Sequence, residues 1–442
     1  MKQRLKSRGM NDLKKINLKP IDLPLTGDLS VPGDKSISHR AIIFGSLAQG
    51  KTKITRFLNG EDCLMTIKTF QAMGVKIDQQ DDQVSIESDG IEGLKEPLEP
   101  IYFGNSGTTA RLMLGVLAGL PFHTTIHGDP SLTQRPMDRV RDPLREMGAK
   151  IDGRDDGNLL PIAVRGQSLS GITFKPPMKS AQVKSGVLLA GLLADGETTV
   201  IETTKTRDHT ENLLSAFGGK INVEGNTITL KGKQSLTGTE IEVPGDISSA
   251  AFFIVGALLV PGSHLTIKNV GLNPTRTGLL DVLNQMGANL VIKETKRVGK
   301  EAIGDITVKY AELNPVEIDG DVIPRMIDEF PILALLATQV DGTTIIRDAE
   351  ELKHKETDRI TAVVDILNTL GAKVEGTDDG MMIEGKTPLF GGEVSSDGDH
   401  RLGMMIAIAS LICQETVTLV DPDVINISYP TFFDDLKMLQ AK

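Results

Sequence analysis

The chain has 442 residues, 39% of them hydrophobic and 24% charged, with a formal net charge of -11 at pH 7. That length exceeds one ordinary core, so at least two domains are expected, and the composition is that of a soluble globular protein. No Trp and only three Tyr leave little for stacking on bases, and the acidic balance argues against a general nucleic-acid binder while permitting a local cationic pocket.

The start, "MKQRLKSRGMNDLKK", is basic but no apolar stretch follows, so it reads as a tail or upstream extension rather than a signal peptide. "VPGDKSISHR" (31–40) then leads into an apolar helix, "SHRAIIFGSLAQG", a strand, "KTKITRF", a second and amphipathic helix ending "FQAMGVKI", and a further strand, "DQVSIES". The order returns along the chain. Apolar helices recur as "TTARLMLGVLAGL", "SAQVKSGVLLAGLLADG", "SSAAFFIVGALLVPG", "DEFPILALLATQVDG" and "DHRLGMMIAIASLI". Second helices end in "LREMGAKI", "LSAFGGKI", "LNQMGANL" and "LNTLGAKV", which puts Gly74, Gly148, Gly218, Gly287 and Gly371 where a left-handed C-cap belongs. A sixth unit stops in its second helix, "TFFDDLKML".

Each unit therefore reads helix–strand–helix–strand–strand. One helix per unit is apolar nearly all round and is predicted to be buried. The longest apolar run, "AAFFIVGALLV", is far short of the roughly 20 residues that span a bilayer. A second "VPGD" (243–246) opens the fourth unit, so the units divide into two groups of three. The predicted domains are an inserted one, 33–245, holding units one to three, and a discontinuous one, 1–32 plus 246–442, made of an N-terminal strand and units four to six. Hinges are expected near 31–36 and 243–248, stiffened by Pro32 and Pro244 and loosened by Gly33 and Gly245. Cys63 and Cys413 make neither a disulfide framework nor a zinc pattern and suit a reducing, cytoplasmic compartment.

The starts of the buried helices are polar: "GDKSISHR", "GNSGTTAR", "MKSAQVKS", "GDISSAA", "IDEFP" and "GDHR". Helix N-termini attract phosphate and carboxylate, and several pointing into one cleft would make a strong anion site. Plain N-capping by Ser, Asp and Asn explains many of these residues. It does not explain Lys35, Arg40, Arg111, Gln182 and Arg401, whose long side chains do not cap helix starts. "GDKS" lacks the first glycine of a nucleotide P-loop, Leu29 standing in its place, which discounts a kinase. Loops before the second helices add Arg135, Arg207, Lys355 and Arg359. Any one of these charges reads most simply as part of a solvated surface network; recurrence of cations in the same loop of several units points to a site.

"GDKSISHR", "GNSGTTAR", "LTQRPM", "SAQVKS", "KETDR" and "DHR" resemble, in order and over nearly the whole chain, the signature segments of the 5-enolpyruvylshikimate-3-phosphate (EPSP) synthase family. "IPRMIDEFP" and "KSAQVKSG" are closer to its second class, found in many Gram-positive bacteria. The resemblance implies a two-domain, inside-out α/β fold, each domain three βαβαββ units around buried helices. It implies a monomeric enzyme that moves the enolpyruvyl group of phosphoenolpyruvate to the 5-hydroxyl of shikimate 3-phosphate, a step towards chorismate and the aromatic amino acids. Neither metal nor organic cofactor is implied, nor nucleic acid or membrane as partner.

Carried over by motif, the catalytic residues would be Asp328, accepting the hydroxyl proton, with Glu356 and Lys35 moving the methylene proton. Shikimate 3-phosphate would meet Lys35, Ser36, Arg40, Ser180, Ala181, Gln182, Arg207, Asp328 and Lys355. Phosphoenolpyruvate would meet Lys35, Asn105, Gly107, Arg135, Gln182, Arg359 and Arg401. The chain departs from many members in Ala181, where a second serine is usual, and in Arg207, where Tyr is usual; Arg207 is expected to replace the lost phosphate contact. A late lysine of some members is absent from "NISYPTFF". Some glyphosate-tolerant members carry Ala at the position of Gly107, so glycine here implies sensitivity. The rival readings are UDP-N-acetylglucosamine enolpyruvyl transferase, which shares the fold but usually has a cysteine in the loop that here reads "GDPSLTQRPM", and a non-catalytic anion-binding protein.

Overall fold

The structure, a computed structural model, describes residues 14–440. Most of the basic N-terminal stretch lies outside them. Six helices form the interior: Lys35–Leu47, Gly107–Gly119, Ala181–Leu193, Ile247–Leu259, Phe330–Ala337 and His400–Ala409. They are called here the first to sixth buried helices. They are apolar nearly all round because the fourth, fifth and sixth pack on one another, the second packs on the first and third, and each packs on a sheet. The closest approach is between the second and third, where a Cβ on Gly115 would lie 2.1 Å from the Gly186 carbonyl oxygen; only glycine permits that backbone contact.

Each of the first five buried helices feeds a strand, an outer helix and a pair of antiparallel strands, while the sixth feeds a strand and an outer helix. The outer helices are Glu61–Ala72, Asp138–Glu146, His209–Ala216, Gly278–Gln285, Arg359–Thr369 and Phe432–Gln440. The five glycines placed at C-caps by sequence all take positive φ, between 83° and 107°, as a left-handed cap requires. Among the described residues the strands form five four-stranded sheets and one three-stranded sheet. Every sheet also holds a short strand running parallel to the first strand of its unit, of which only the N-terminal one within 1–32 was expected: Thr26–Ser30, Ile101–Tyr102, Thr173–Phe174, Glu240–Glu242, Glu317–Ile318 and Gly392–Ser395. Most of these are too short to show an alternating pattern. They supply the leading β of the βαβαββ unit.

The pairing crosses the chain over itself. Thr26–Ser30 joins His264–Gly271 of the fourth unit, while Glu240–Glu242 joins Gln49–Thr55 of the first. Two hydrophobic cores result. One runs from Ile37 to Val243; the other combines Leu25, Leu29 and Val31 with residues from Ile247 to Leu439. Among the described residues no helix is long and apolar enough to cross a membrane.

Candidate active site

Between the two halves lies a cavity of roughly 1220 Å³, counting the space open to solvent at its mouth. All six buried helices present their N-terminal ends or the turn before them to it: Lys35 and Ser36, Gly107 and Thr108, Ser180 to Gln182, Asp246, Asp328, and Arg401. Helix caps and clustered cations occur together at these ends. Asp34, Ser106, Asp246 and Asp399 accept the backbone N–H of Ile37, Thr109, Ser248 and Arg401 at 2.8–3.1 Å, and the cations stand around these ends.

In the first half, Lys35 Nζ donates to Asp62 Oδ2 at 3.1 Å. Burial works against its charge, but Asp62 and Glu356 more than offset this and hold its pKa above the ordinary lysine value. Arg40 is buried and fully held: Nε donates to Thr210 Oγ1 (2.7 Å), one terminal nitrogen to Ser185 Oγ (2.7 Å), the other to the Ser36 carbonyl (2.9 Å). Burial lowers its pKa to about 10, so it stays cationic at neutral pH. Gln182 donates to Thr108 Oγ1 at 3.0 Å and accepts from Arg111 at 2.8 Å. Arg207 reaches across the cavity to pair with Asp328 and comes within 3.4 Å of Ser36 Oγ.

In the second half, Asp328 is ringed by cations. Besides Arg207, it has Arg359 at 3.2 Å, Lys355 at 3.3 Å and Arg401 at 3.8 Å. Burial pushes its carboxyl up, yet Lys355, Arg207, Arg401 and Arg359 outweigh burial and hold it well below the ordinary aspartate value. Burial likewise raises Glu356, and Arg359, Arg135 and His400 pull it well below the usual glutamate range. Arg359 bridges the two carboxylates, Asp328 through one nitrogen and Glu356 through another at 2.7 Å. Two carboxylates on one guanidinium, in the wall of a cavity lined with cations, can act as a proton acceptor and a proton carrier.

Two expected ligands stand behind the wall. Asn105 does not line the cavity; its carbonyl and side-chain oxygens accept from Arg135, and its amide donates to Asp129 at 2.7 Å. It braces Arg135. Arg359 is 1% exposed and is tied to Asp399 at 2.8 Å, so it is reached only through Glu356 and Asp328. The remaining expected residues, Ala181 included, line the cavity. It also holds residues to which no role had been given: Asp62, Arg111, Lys179 and Arg276, with Arg139, which pairs with Glu351 across the mouth at 2.8 Å. Arg111 sits inside a quoted motif and Arg139 lies two residues beyond one; Arg276 carried no local signal.

Cys63 and Cys413 are free and buried. Burial pushes both thiols up, Cys413 to about 12, the reverse of what a nucleophile needs. Neither lies in the loop at 128–137, and neither lines the cavity.

The family model of EPSP synthase (3-phosphoshikimate 1-carboxyvinyltransferase) matches residues 21–436. A 3-phosphoshikimate 1-carboxyvinyltransferase from Bacillus cytotoxicus is 57% identical over 415 residues, 94% of this chain and 98% of that relative. One from Oceanobacillus iheyensis is 57% identical over 422 residues, 96% and 98% of the two chains. The solved EPSP synthase of Acinetobacter baumannii superposes with a TM-score of 0.85 at 43% identity, covering 96% of this chain and 98% of that one. The enolpyruvyl transferase NikO of Streptomyces tendae, 18% identical with a TM-score of 0.80 over 97% and 98% of the chains, shares the fold. By its match to the family model over almost its whole length, and by relatives identical at more than half of the aligned positions, the chain belongs to the EPSP synthase family.

Proposed function

We propose that the cavity joins phosphoenolpyruvate to the 5-hydroxyl of shikimate 3-phosphate and releases phosphate. The observation that carries this reading is the convergence of six helix N-terminal ends and a ring of cations on one cavity whose wall also holds Asp328 and Glu356. The two substrates together bring two phosphates and two carboxylates, and such charges gather in one pocket only where guanidinium, ammonium and helix ends are already aimed at them. The fold alone would serve the UDP-N-acetylglucosamine reaction, but the buried, protonated cysteines do not supply that family's usual nucleophile.

In the proposed sequence, shikimate 3-phosphate lies against Ser36, Arg40, Ser180, Gln182, Arg207 and Lys355. Its phosphate is held by Ser180 and by Arg207 in place of a second serine. Phosphoenolpyruvate takes its phosphate to Arg135, beside Gly107, and its carboxylate to Arg401, with Arg359 behind. Asp328 accepts the proton of the 5-hydroxyl while its oxygen bonds to C2, and Glu356 with Lys35 delivers a proton to the methylene carbon. Elimination then removes a methyl proton, re-forms the double bond and breaks the C2–phosphate bond. Substrate anions that engage Arg207, Lys355 and Arg401 relieve the cationic field on Asp328. Its pKa then rises towards the ordinary value, which makes it a better proton acceptor when the substrates are in place.

The halves 33–245 and 1–32 plus 246–442 are proposed to act as the two closing domains of a cytoplasmic monomer. Arg207–Asp328 and Arg139–Glu351, which cross the cavity, are the contacts such closure would make. The test is a phosphate-release assay on the full chain. Phosphate formed only when both substrates are present is the expected result; none from folded protein would overturn the reading.

A further inference from the structure

The second "VPGD" takes no part in the chemistry above, yet the structure sets it against the first. Gly33 and Gly245 form an antiparallel bridge; Asp34 N–H donates to the Pro244 carbonyl at 2.8 Å and Asp246 N–H to the Pro32 carbonyl at 2.9 Å. Side chains are excluded from this crossing: a Cβ on Gly33 would lie 1.9 Å from the Arg56 carbonyl oxygen, and one on Gly245 2.9 Å from Val31. The crossing brings together two buried aspartates, each capping a buried helix that belongs to a different half.

Two buried carboxylates side by side repel unless a cation lies between them. That cation is Arg276, 2% exposed, from the loop before the fourth outer helix. One terminal nitrogen donates to Asp34 Oδ2 at 2.7 Å; the other donates to Asp246 Oδ1 at 3.0 Å and Ser248 Oγ at 2.8 Å. From there two contacts reach the site. Asp246 Oδ2 accepts the backbone N–H of Lys35 at 3.1 Å, and Ser248 Oγ bonds to Glu329, the neighbour of Asp328.

We propose that Arg276 is a positioning residue for the reaction: by bridging the two capping aspartates it fixes the first buried helix against the fourth, and so sets where Lys35 stands relative to Asp328. A purely stabilising role is served as well by apolar packing, which often equals or exceeds a buried ion pair in stability. Apolar side chains could not hold two caps and a serine hydroxyl at fixed angles, and a planar guanidinium can. Arg276 acts through Asp34, Asp246 and Ser248, not on substrate.

This inference rests on the activity proposed above, and the test separates the two. The full-length wild type, Asp34→Asn, Arg276→Met and the double variant are compared for kcat, both KM values and melting temperature in the phosphate-release assay. Asn keeps the helix cap but turns a donor towards Arg276. Each single change is expected to lower kcat more than tenfold while the KM for shikimate 3-phosphate, set mostly by first-half residues, stays within threefold. The double variant should fall little below the worse single, because both changes break one device. Either folded single variant within threefold of wild-type kcat, losses that multiply, or a lowered melting temperature with kcat intact would overturn the proposal. If Arg276→Met does not fold, Asp34→Asn decides alone by the same thresholds. Absence of wild-type turnover would sink the activity and this inference together, whereas wild-type turnover with unaffected variants would sink the inference only.

Discussion

Replacing Asp328 by Asn keeps the size of the side chain and removes the one charge that four cations share. The structure gives the change two separable magnitudes. For the chemistry, loss of a positioned base lowers kcat by about 10²–10⁴, roughly 3–5 kcal/mol of barrier. For the fold without substrates, the partners at 3.2, 3.3 and 3.8 Å and the shorter Arg207 contact are left around a neutral amide, and breaking a buried pair from one side costs about 3–5 kcal/mol. Shikimate 3-phosphate should restore part of this loss, because its phosphate and carboxylate take up freed cations. Asp328→Asn is therefore expected to melt well below wild type alone, to gain more in melting temperature from shikimate 3-phosphate than wild type does, and to bind it at least as tightly by calorimetry. Turnover within tenfold of wild type would refute the base assignment. Binding weakened a hundredfold or more would show that Asp328 holds substrate rather than moving its proton.

Arg135→Ala should raise the KM for phosphoenolpyruvate by about 10–100-fold, the worth of a charged hydrogen bond, with little effect on the other KM; steady-state kinetics showing a purely shikimate-side loss would contradict the phosphate contact. Glyphosate should inhibit the wild type competitively with phosphoenolpyruvate. In Gly107→Ala, a Cβ 2.9 Å from one Arg111 nitrogen and 3.3 Å from one Arg135 nitrogen should displace both guanidinium ends, weakening glyphosate and phosphoenolpyruvate about tenfold or more, roughly 1.4 kcal/mol; wild-type inhibition that stays weak and non-competitive would count against this. Glu301 joins the halves by accepting from His209 (3.0 Å) and Asn212 (2.9 Å). Burial raises its carboxyl, but His209, Asn212 and Asn273 bring it down from 4.5 to about 2. Because the folded value is depressed, its contribution is whole above the unfolded value and fades as pH falls towards the folded one. Urea unfolding at pH 7 and pH 3 should show the difference between the two shrinking by about 2 kcal/mol in Glu301→Gln; an unchanged difference would refute it.

What the sequence showed, it showed because the signal was local. A buried helix must be apolar all round, and its end needs Gly371 or its equivalents, so the repeat and its count were legible from side-chain pattern alone. The parallel strand Ile101–Tyr102 was not, since two residues carry no alternation and its partner at 126–127 lies beyond a whole helix. The site divides the same way. Lys35 and Arg401 stood out as cations where caps belong, but whether a motif residue faces the cavity or braces its neighbour depends on packing. Asn105 and Arg359 belong to matching motifs, but neither lines the cavity, and each is bonded to a neighbour that does. Arg276 and Asp34 are separated by 242 positions, and nothing near either in sequence announces the other.

The cations in one copy of "VPGD" and their absence from the other now have a physical reason. Both copies must cap a buried helix, so both keep the aspartate; both must pass through the crossing, so both keep the glycine. The cavity lies on the side to which Lys35, Ser36 and Arg40 project. Behind the second aspartate the corresponding places are Ile247, Ser248 and Phe252, all at most 1% exposed and, except for the serine, part of the second core. A charge there would be buried without an anion to meet it, at a cost of several kcal/mol. Arg276, although it too reaches the cavity wall, turns its guanidinium to the two aspartates and Ser248. The asymmetry of the repeat thus follows from one site shared by two copies: one supplies side chains to it, and the other holds the first in place.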